Sequence, residues 1–270
     1  MTDGGIANGK STAGIGRLLV LASRYPKSRW VIFRQVYLDL VKTTRKTFEK
    51  VCPIQWIKRD VRDTTELING AEIIWMHLDE MDEQSLRGLE INGGFGDQIE
   101  EIHPEMWEIL SSRIGRWQLP EWGRRCPAYL WGTCNPEGKD WVYYHFHPDC
   151  VKYPRRQSFP EWDKTQLEKV ATMFDTDGKT RLATDEEIRT CPPSVYCESP
   201  LKTYIFGSTL VNLPKMEEID PTYVRNLLRK PQSWKNKWMY GNRSIFEGMI
   251  HKEFQTGVHV YEPKAFDPFQ

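Results

Sequence analysis

The sequence predicts an α/β fold, a mainly parallel sheet covered by helices on both faces. Three observations predict it. Strand candidates alternate with segments of helical periodicity along the 270 residues. A glycine-rich turn, Gly4 to Ser11, opens directly into a helix pattern. An extended apolar run, Trp30-Val31-Ile32-Phe33, follows that helix.

The length suits one large domain, or one domain with a small appendage. Lys+Arg and Asp+Glu balance at 37 each, which excludes a broadly basic surface for wrapping nucleic acid and leaves only local DNA contact. Six cysteines with no secretory apolar region before them read as reduced thiols. No apolar run has the length of a membrane span, and the N-terminus does not read as a targeting peptide.

Within the first helix pattern Ile15, Leu18, Leu19 and Ala22 recur at helical spacing, and Tyr25-Pro26 stops it. The apolar run after it ends in Arg34. Val36 to Val51 is amphipathic, with Leu38, Val41, Thr44 and Phe48 on one side and Pro53 beyond. Thr64 to Leu78 reads as a hairpin about Asn69-Gly70. Leu89 to Asp97 is a strand candidate punctuated by Gly93, Gly94 and Gly96, a poor strand by propensity. Met106 to Trp117 is helical through Met106, Ile109, Leu110 and Ile114, and Ala128 to Thr133 is a strand ending in the turn composition Cys134 to Gly138. Trp141 to Phe146 reads as a short helix, and residues 151–203 as an irregular excursion. Tyr204 to Leu210 is a strand candidate, Pro221 to Arg229 a helix and Trp238 to Phe254 a closing segment. The 11 tryptophans read mostly as packing rather than a base-stacking surface.

The turn GGIANGKS fits G-x-x-x-x-G-K-[ST] through Gly4, Gly9, Lys10 and Ser11. Glycines let the backbone curl so that successive N–H groups face an anion, and the helix opening at Lys10 adds its positive end. The expected nucleotide contacts are Gly4, Gly5, Ile6, Ala7, Asn8, Gly9, Lys10, Ser11 and Thr12. Lys10 would reach the β and γ phosphates and the Ser11 hydroxyl would ligate Mg²⁺, with Thr12 as the weaker substitute. The competing reading is a glycine-rich turn that matches by chance. A phosphate loop hangs from a preceding strand, and only Met1-Thr2-Asp3 precede Gly4, so that first strand is expected to be missing.

Nucleotide hydrolysis also needs a strand-end acid beside Mg²⁺ and a carboxylate to orient the attacking water. Asp97 is the candidate for the first, and Glu100 or Glu101, within a helical turn of it, for the second. The competing reading makes Asp97 a helix N-cap with Glu100 in the capping-box position. His145, His147 and Cys150, with Cys134 and Cys126 upstream, fall short of a zinc set because a second ligand pair is missing.

Taken in order, GGIANGKS, WVIFR, NGAEIIWMHLD, SLRGLEINGGFGDQIEEI, AYLWGTCNPEG, STLVNLP and WMYGNRSIFEGMIHKEF resemble the ATPase domain of tailed-bacteriophage large terminases over nearly the whole chain. The resemblance implies an additional-strand P-loop NTPase fold, ATP as fuel with Mg²⁺, and translocation of double-stranded viral DNA into a capsid. Gly9, Lys10 and Ser11 match the phosphate loop, Asp97 the Mg²⁺-associated acid, and Thr133 and Asn135 the coupling segment that senses the γ-phosphate. It further implies a homo-oligomeric ring, the portal protein and the small terminase subunit as partners, host-cell cytoplasm as location and no membrane. Residues 1–255 would be the ATPase domain and 256–270 the start of a linker toward a nuclease domain, the chain being truncated at both ends.

Three departures stand out. Gln98 occupies the place of the usual catalytic glutamate, which leaves Glu101, or Glu100, to supply the carboxylate. Ile6 or Ala7 stands where many terminases carry an arginine, so the charge-stabilising role falls to Arg34, Arg124 or Arg125, or to a neighbouring subunit. The base-binding segment expected before the loop is absent. Two other readings compete: a different P-loop enzyme such as a helicase or small-molecule kinase, and an inactive or truncated fragment binding nucleotide weakly or not at all.

Overall fold

The computed structural model describes residues 1–79, 83–158, 194–199, 201–209, 212–241 and 243. Thr2–Gly4 forms β1, and α1 (Lys10–Arg24) follows across the glycine turn, burying Ile15, Leu18, Leu19 and Ala22. That spacing is the apolar stripe the sequence carries. β2 (Arg29–Arg34) holds Trp30 to Phe33 wholly out of solvent. The amphipathic stretch after it is helical but not uniform. α2 (Tyr37–Asp39) passes through a π-helical turn (Leu40–Thr44) into α3 (Arg45–Val51).

β3 (Ile57–Asp60) precedes the expected hairpin of β4 (Thr64–Leu67) and β5 (Glu72–His77). At the hairpin turn the Asn69 side chain accepts from the Ala71 N–H, and Gly70 takes φ 80°. After α4 (Glu83–Arg87) come β6 (Gly93–Gly96), α5 (Pro104–Ser111), β7 (Leu130–Gly132) and α6 (Trp141–Phe146). β8 (Arg155–Ser158), β9 (Ser194–Glu198) and β10 (Thr203–Gly207) lead to α7 (Leu213–Ile219), α8 (Pro221–Leu228) and α9 (Gln232–Trp234), which runs into a second π-helical turn (Lys235–Met239).

β2 is central, parallel to β5 on one side and to β6 on the other, and β6 is parallel to β7. The order of this group is β3-β4-β5-β2-β6-β7, and a second group runs β1-β10-β9-β8. The two meet where Thr2 bridges Thr133 and the Cys134 N–H donates to the Thr2 carbonyl at 3.0 Å. β1 is parallel to β10, whereas the outer pairs β3–β4, β4–β5, β10–β9 and β8–β9 are antiparallel. Alternate residues of β2 feed two cores. Trp30 and Ile32 join Ile15, Leu18, Phe48 and Phe95 under α1 and α3, while Val31 and Phe33 join Met106, Trp107, Val142 and Phe146 under α5 and α6. This is a doubly covered sheet, and it explains why β2 reads as one continuous apolar run.

Several expectations are corrected. The strand before the loop is not missing: three residues suffice, because β1 lies between β10 and the segment after β7 and shares hydrogen bonds with both. The 151–203 excursion contains two strands, β8 and β9, although residues 159–193 and 200 lie outside the described set. The helix expected to reach Trp117 stops at Ser111. The Ser111 and Ser112 hydroxyls bond back to the carbonyls of Glu108 and Ile109 there, and Ile114 instead bridges Ile91. The strand expected to reach Leu210 ends at Gly207. Most of the closing segment after Tyr240, and all of 256–270, lies outside the described residues.

The glycines of β6 oppose strand propensity for a packing reason. A methyl group at Gly94 would stand 2.4 Å from Val31 Cγ1, and one at Gly96 would stand 2.7 Å from the Phe33 ring. The bare strand lets the central pair approach closely. Gly94→Ala is therefore expected to destabilise the fold by about 1–3 kcal/mol in equilibrium urea unfolding, with part of the loss recovered in Gly94→Ala/Val31→Ala. Unchanged stability of the single variant would contradict the packing argument.

Candidate active site

The turn between β1 and α1 is shaped from outside. Gly9 takes φ 84° and Ala7 φ 55°, the latter a left-handed conformation costly for a residue with a Cβ. Four contacts with the chain after β9 offset that cost. The Asn212 side chain donates to the Ala7 carbonyl at 2.9 Å, and the Thr209 hydroxyl to the Ile6 carbonyl at 2.5 Å. The Ile6 N–H donates to the Trp238 carbonyl, and the Asn8 side chain to the Gly207 carbonyl. Lys10 points inward and is buried, its ammonium donating to the carbonyls of Gly4 and Gly5 at 2.8 and 2.6 Å. Burial lowers its pKa, and the surrounding acids Asp3, Glu100 and Asp97 oppose that shift.

Asp97, at the C-terminal end of β6, is buried, and its carboxylate accepts from three hydroxyls. Ser11 Oγ lies 2.8 Å and Thr133 Oγ1 2.7 Å from Oδ1, and Thr44 Oγ1 lies 2.8 Å from Oδ2. The acid thus stands against the phosphate-loop serine, as the sequence reading requires. Gln98 turns the chain sharply with φ 55°, and its N–H reaches the Thr133 hydroxyl at 3.2 Å. Asp97 is not a helix N-cap; the short 3-10 turn that follows begins after Gln98.

The two glutamates of that turn differ in surroundings. Glu100 is half-buried, with Oε1 accepting from the Asn135 N–H at 2.8 Å and Oε2, which is out of solvent, unpartnered among the described residues. Burial, against the pull of that N–H, pushes its pKa up to about 8. Glu101 is partly exposed and faces Arg34 Nε at 3.6 Å, an ion pair longer than a hydrogen bond. Burial raises its pKa too, and Arg34 opposes the rise. Arg34, at the end of β2, is held by the Thr43 hydroxyl at 2.5 Å and by Asp39 at 4.0 Å.

Between the loop, Arg34 and Asp97 opens a cavity of about 390 Å³. Ile6, Ala7, Asn8, Gly9, Lys10, Ser11 and Thr12 line its loop side, and Arg34, Asp97, Gln98, Thr133 and Asn135 the opposite side. Gly4 and Gly5 lie beneath the loop rather than on the cavity wall, and neither Glu100 nor Glu101 is on it. Arg34 is the one of the three candidate arginines that lines the cavity; Arg124 lies over the Tyr25 ring. Sequence reasoning misses Thr43, Thr44 and Thr47. Thr43 and Thr47 line the cavity and Thr44 holds Asp97. Their signal is a run of hydroxyls at helical spacing, in which Thr44 reads as part of an apolar side. Among the described residues no group of three or more His, Cys, Asp or Glu is placed to hold a metal ion. Nor is any described helix long and apolar enough to cross a membrane.

The family model described as "Terminase large subunit, T4likevirus-type, N-terminal" matches residues 1–187. The chain belongs to that family. This terminase chain is also similar in fold to the large terminase of a thermophilic bacteriophage. Against that protein's complex with ADP the identity is 16% and the TM-score 0.54, covering 97% of this chain and 53% of the other. Against its complex with ATP-gamma-S the values are 14% and 0.50, covering 97% and 52%. The terminase chain thus spans about half the length of these matched structures. At such identities the likeness is one of fold, the P-loop NTPase type. No curated protein matches.

Two outcomes follow from the site. Thr44→Val removes a hydroxyl from a buried carboxylate and should cost about 1.5–3 kcal/mol in urea unfolding; a neutral change would mean that Thr44 does not support Asp97. The second concerns Glu100. Between pH 4.5 and about 8 the folded chain keeps a proton that the unfolded chain releases. The stability this group contributes is therefore fully present below pH 4.5 and lost as pH rises through about 8. Glu100→Gln, which keeps the acceptor for Asn135, should lose less stability than the wild type over that range in unfolding titrations. Parallel profiles for the two proteins would refute it.

Proposed function

We propose that this chain is the ATP-hydrolysing motor domain of a DNA-packaging terminase, residues 1–255 forming the motor and 256–270 the start of a linker. The observation that carries the proposal is the 2.8 Å contact between Ser11 Oγ and Asp97 at the head of the phosphate loop. These are hard oxygen donors of the kind Mg²⁺ takes when it keeps several waters and binds substrate phosphates, so the residues present fit that ion. Bound between Ser11 and Asp97, largely through water, Mg²⁺ would neutralise charge on the phosphates.

The chain's own groups supply the rest. Residues 6–12 cradle the triphosphate, with Gly4 and Gly5 supporting the loop from beneath. Lys10 moves its ammonium from the carbonyls of Gly4 and Gly5 to the β and γ phosphates. Arg34, on the cavity wall, stabilises charge on the γ-phosphoryl group, and a neighbouring subunit's arginine can add to it. Glu101 orients the attacking water: it is the partly exposed carboxylate and it adjoins Arg34. Glu100 is less suited, being half-buried behind the Asn135 N–H and protonated over much of the neutral range. Thr133 and Asn135 couple phosphate release to movement, since Thr133 touches Asp97 and Asn135 touches Glu100.

In this role the motor acts in a homo-oligomeric ring with the portal protein and the small terminase subunit, in the host cytoplasm, pushing double-stranded DNA by its backbone phosphates. Gln98, in place of a glutamate beside Asp97, favours a second reading in which nucleotide binds without turnover. Mg–ATP at about 100 times its Kd should stabilise the wild type by about 2.7 kcal/mol in thermal unfolding, and Lys10→Ala should lose the shift. Glu101→Gln should lower kcat by about 10²–10⁴ while retaining the shift. No shift in the wild type would sink the nucleotide reading; a shift without turnover would establish the second one.

A further inference from the structure

Asp3 and Arg243 form a buried pair that joins chain segments 240 positions apart. Arg243 Nε donates to Asp3 Oδ2 at 3.0 Å and Nη2 to Oδ1 at 2.9 Å, a two-pronged contact. Asp3 also accepts from the Gly4 N–H, the Tyr204 hydroxyl and the Cys134 thiol, at 2.6, 2.8 and 3.2 Å. The same guanidinium continues to the turn after β7. Nη1 donates to the Gly138 carbonyl at 2.6 Å and approaches the Asp140 carboxylate at 3.4 Å, while Nη2 reaches Cys134 Sγ at 3.1 Å and the Asn135 carbonyl at 3.3 Å.

Two lines of contact leave the cavity and converge on this one group. One runs from the Lys10 ammonium through the Gly4 carbonyl to its neighbour Asp3. The other runs from Asp97 through the Thr133 hydroxyl to Asn135. Arg243 contacts both ends at once. A lysine at this place would balance the charge of Asp3 but lacks the planar fork that also reaches Gly138 and Asn135.

We propose that Arg243 is a positioning residue that couples the phosphate loop to the 135–140 turn, so that a change at the bound γ-phosphate is passed to that turn through Asp3 and Arg243. This rests on the nucleotide-hydrolysing reading of the same site. A two-ended contact of this kind carries coupling only if both ends respond together, which hydrogen exchange measures directly.

Amide exchange of residues 133–140 is to be followed with and without Mg–ATP-gamma-S in the wild type, Arg243→Lys, Asp3→Asn and Tyr204→Phe. Nucleotide affinity and kcat are measured beside it. Expected for Arg243→Lys is affinity within about twofold of wild type, loss of the nucleotide response at 135–140, and kcat lowered at least about tenfold. Asp3→Asn removes the charge and one of the two oxygens that accept from the guanidinium, breaking the two-pronged contact at its loop end. It should do the same, which keeps the test open if Arg243→Lys does not fold. Tyr204→Phe removes a donor from Asp3 but not the bridge, and should respond as wild type. A retained response in a folded Arg243→Lys or Asp3→Asn overturns the proposal, and so does an equal loss in Tyr204→Phe, the mark of a merely structural cluster.

Absence of nucleotide binding in the wild type would instead overturn the hydrolase reading. The ligand-free arm then decides the positioning claim. Exchange at 133–140 faster by at least about tenfold in Arg243→Lys or Asp3→Asn, with α1 unchanged, supports it, and equal exchange overturns it.

Discussion

The site depends on one buried carboxylate, that of Asp97, held by the hydroxyls of Ser11, Thr44 and Thr133. An ion removed from water must find compensating donors or it destabilises the fold, and here the donors come from three separate elements. Ser11 opens α1, Thr44 lies in the π-helical turn after β2, and Thr133 follows β7. The acid therefore ties its neighbours together while remaining at the cavity wall. Hydroxyls suit this task because each can donate to the carboxylate and also accept, as Thr133 does from the Gln98 N–H.

Glu100 and Glu101 illustrate how one residue type takes two characters in adjacent positions. Burial without a second partner for its carboxyl makes Glu100 a weak acid, while the Arg34 guanidinium moderates the same tendency in Glu101. The division places the weaker acid against the segment after β7 and the other beside the cavity arginine. Environments that drive two carboxyls apart in this way are a common route to distinct roles.

Much of the architecture was legible because the apolar pattern is strong. The α1 stripe, the continuous run of β2 and the Asn69-Gly70 hairpin each follow from local spacing alone. The pairing of Ser11 with Asp97 was legible too, since strand-end acids and loop serines meet in this kind of sheet. What escaped was set by distant partners. The three-residue β1 exists because β10 and the segment after β7 flank it, and no window of sequence contains that fact. β6 overrides its glycine content because Val31 and Phe33 fill the space a side chain would take. Thr44 looked like part of an apolar face because it is indeed buried; the carboxylate 53 positions away that explains its burial is invisible locally.

The left-handed Ala7 has a consequence of its own. Thr209, Asn212 and Trp238 hold the loop in shape, and β10 anchors the strand it hangs from. All of them lie past residue 187, where the family match stops. The signature and the mould that casts it therefore occupy opposite ends of the chain. A fragment bounded by the recognisable motif would carry the letters of a phosphate site without the scaffold that gives them form.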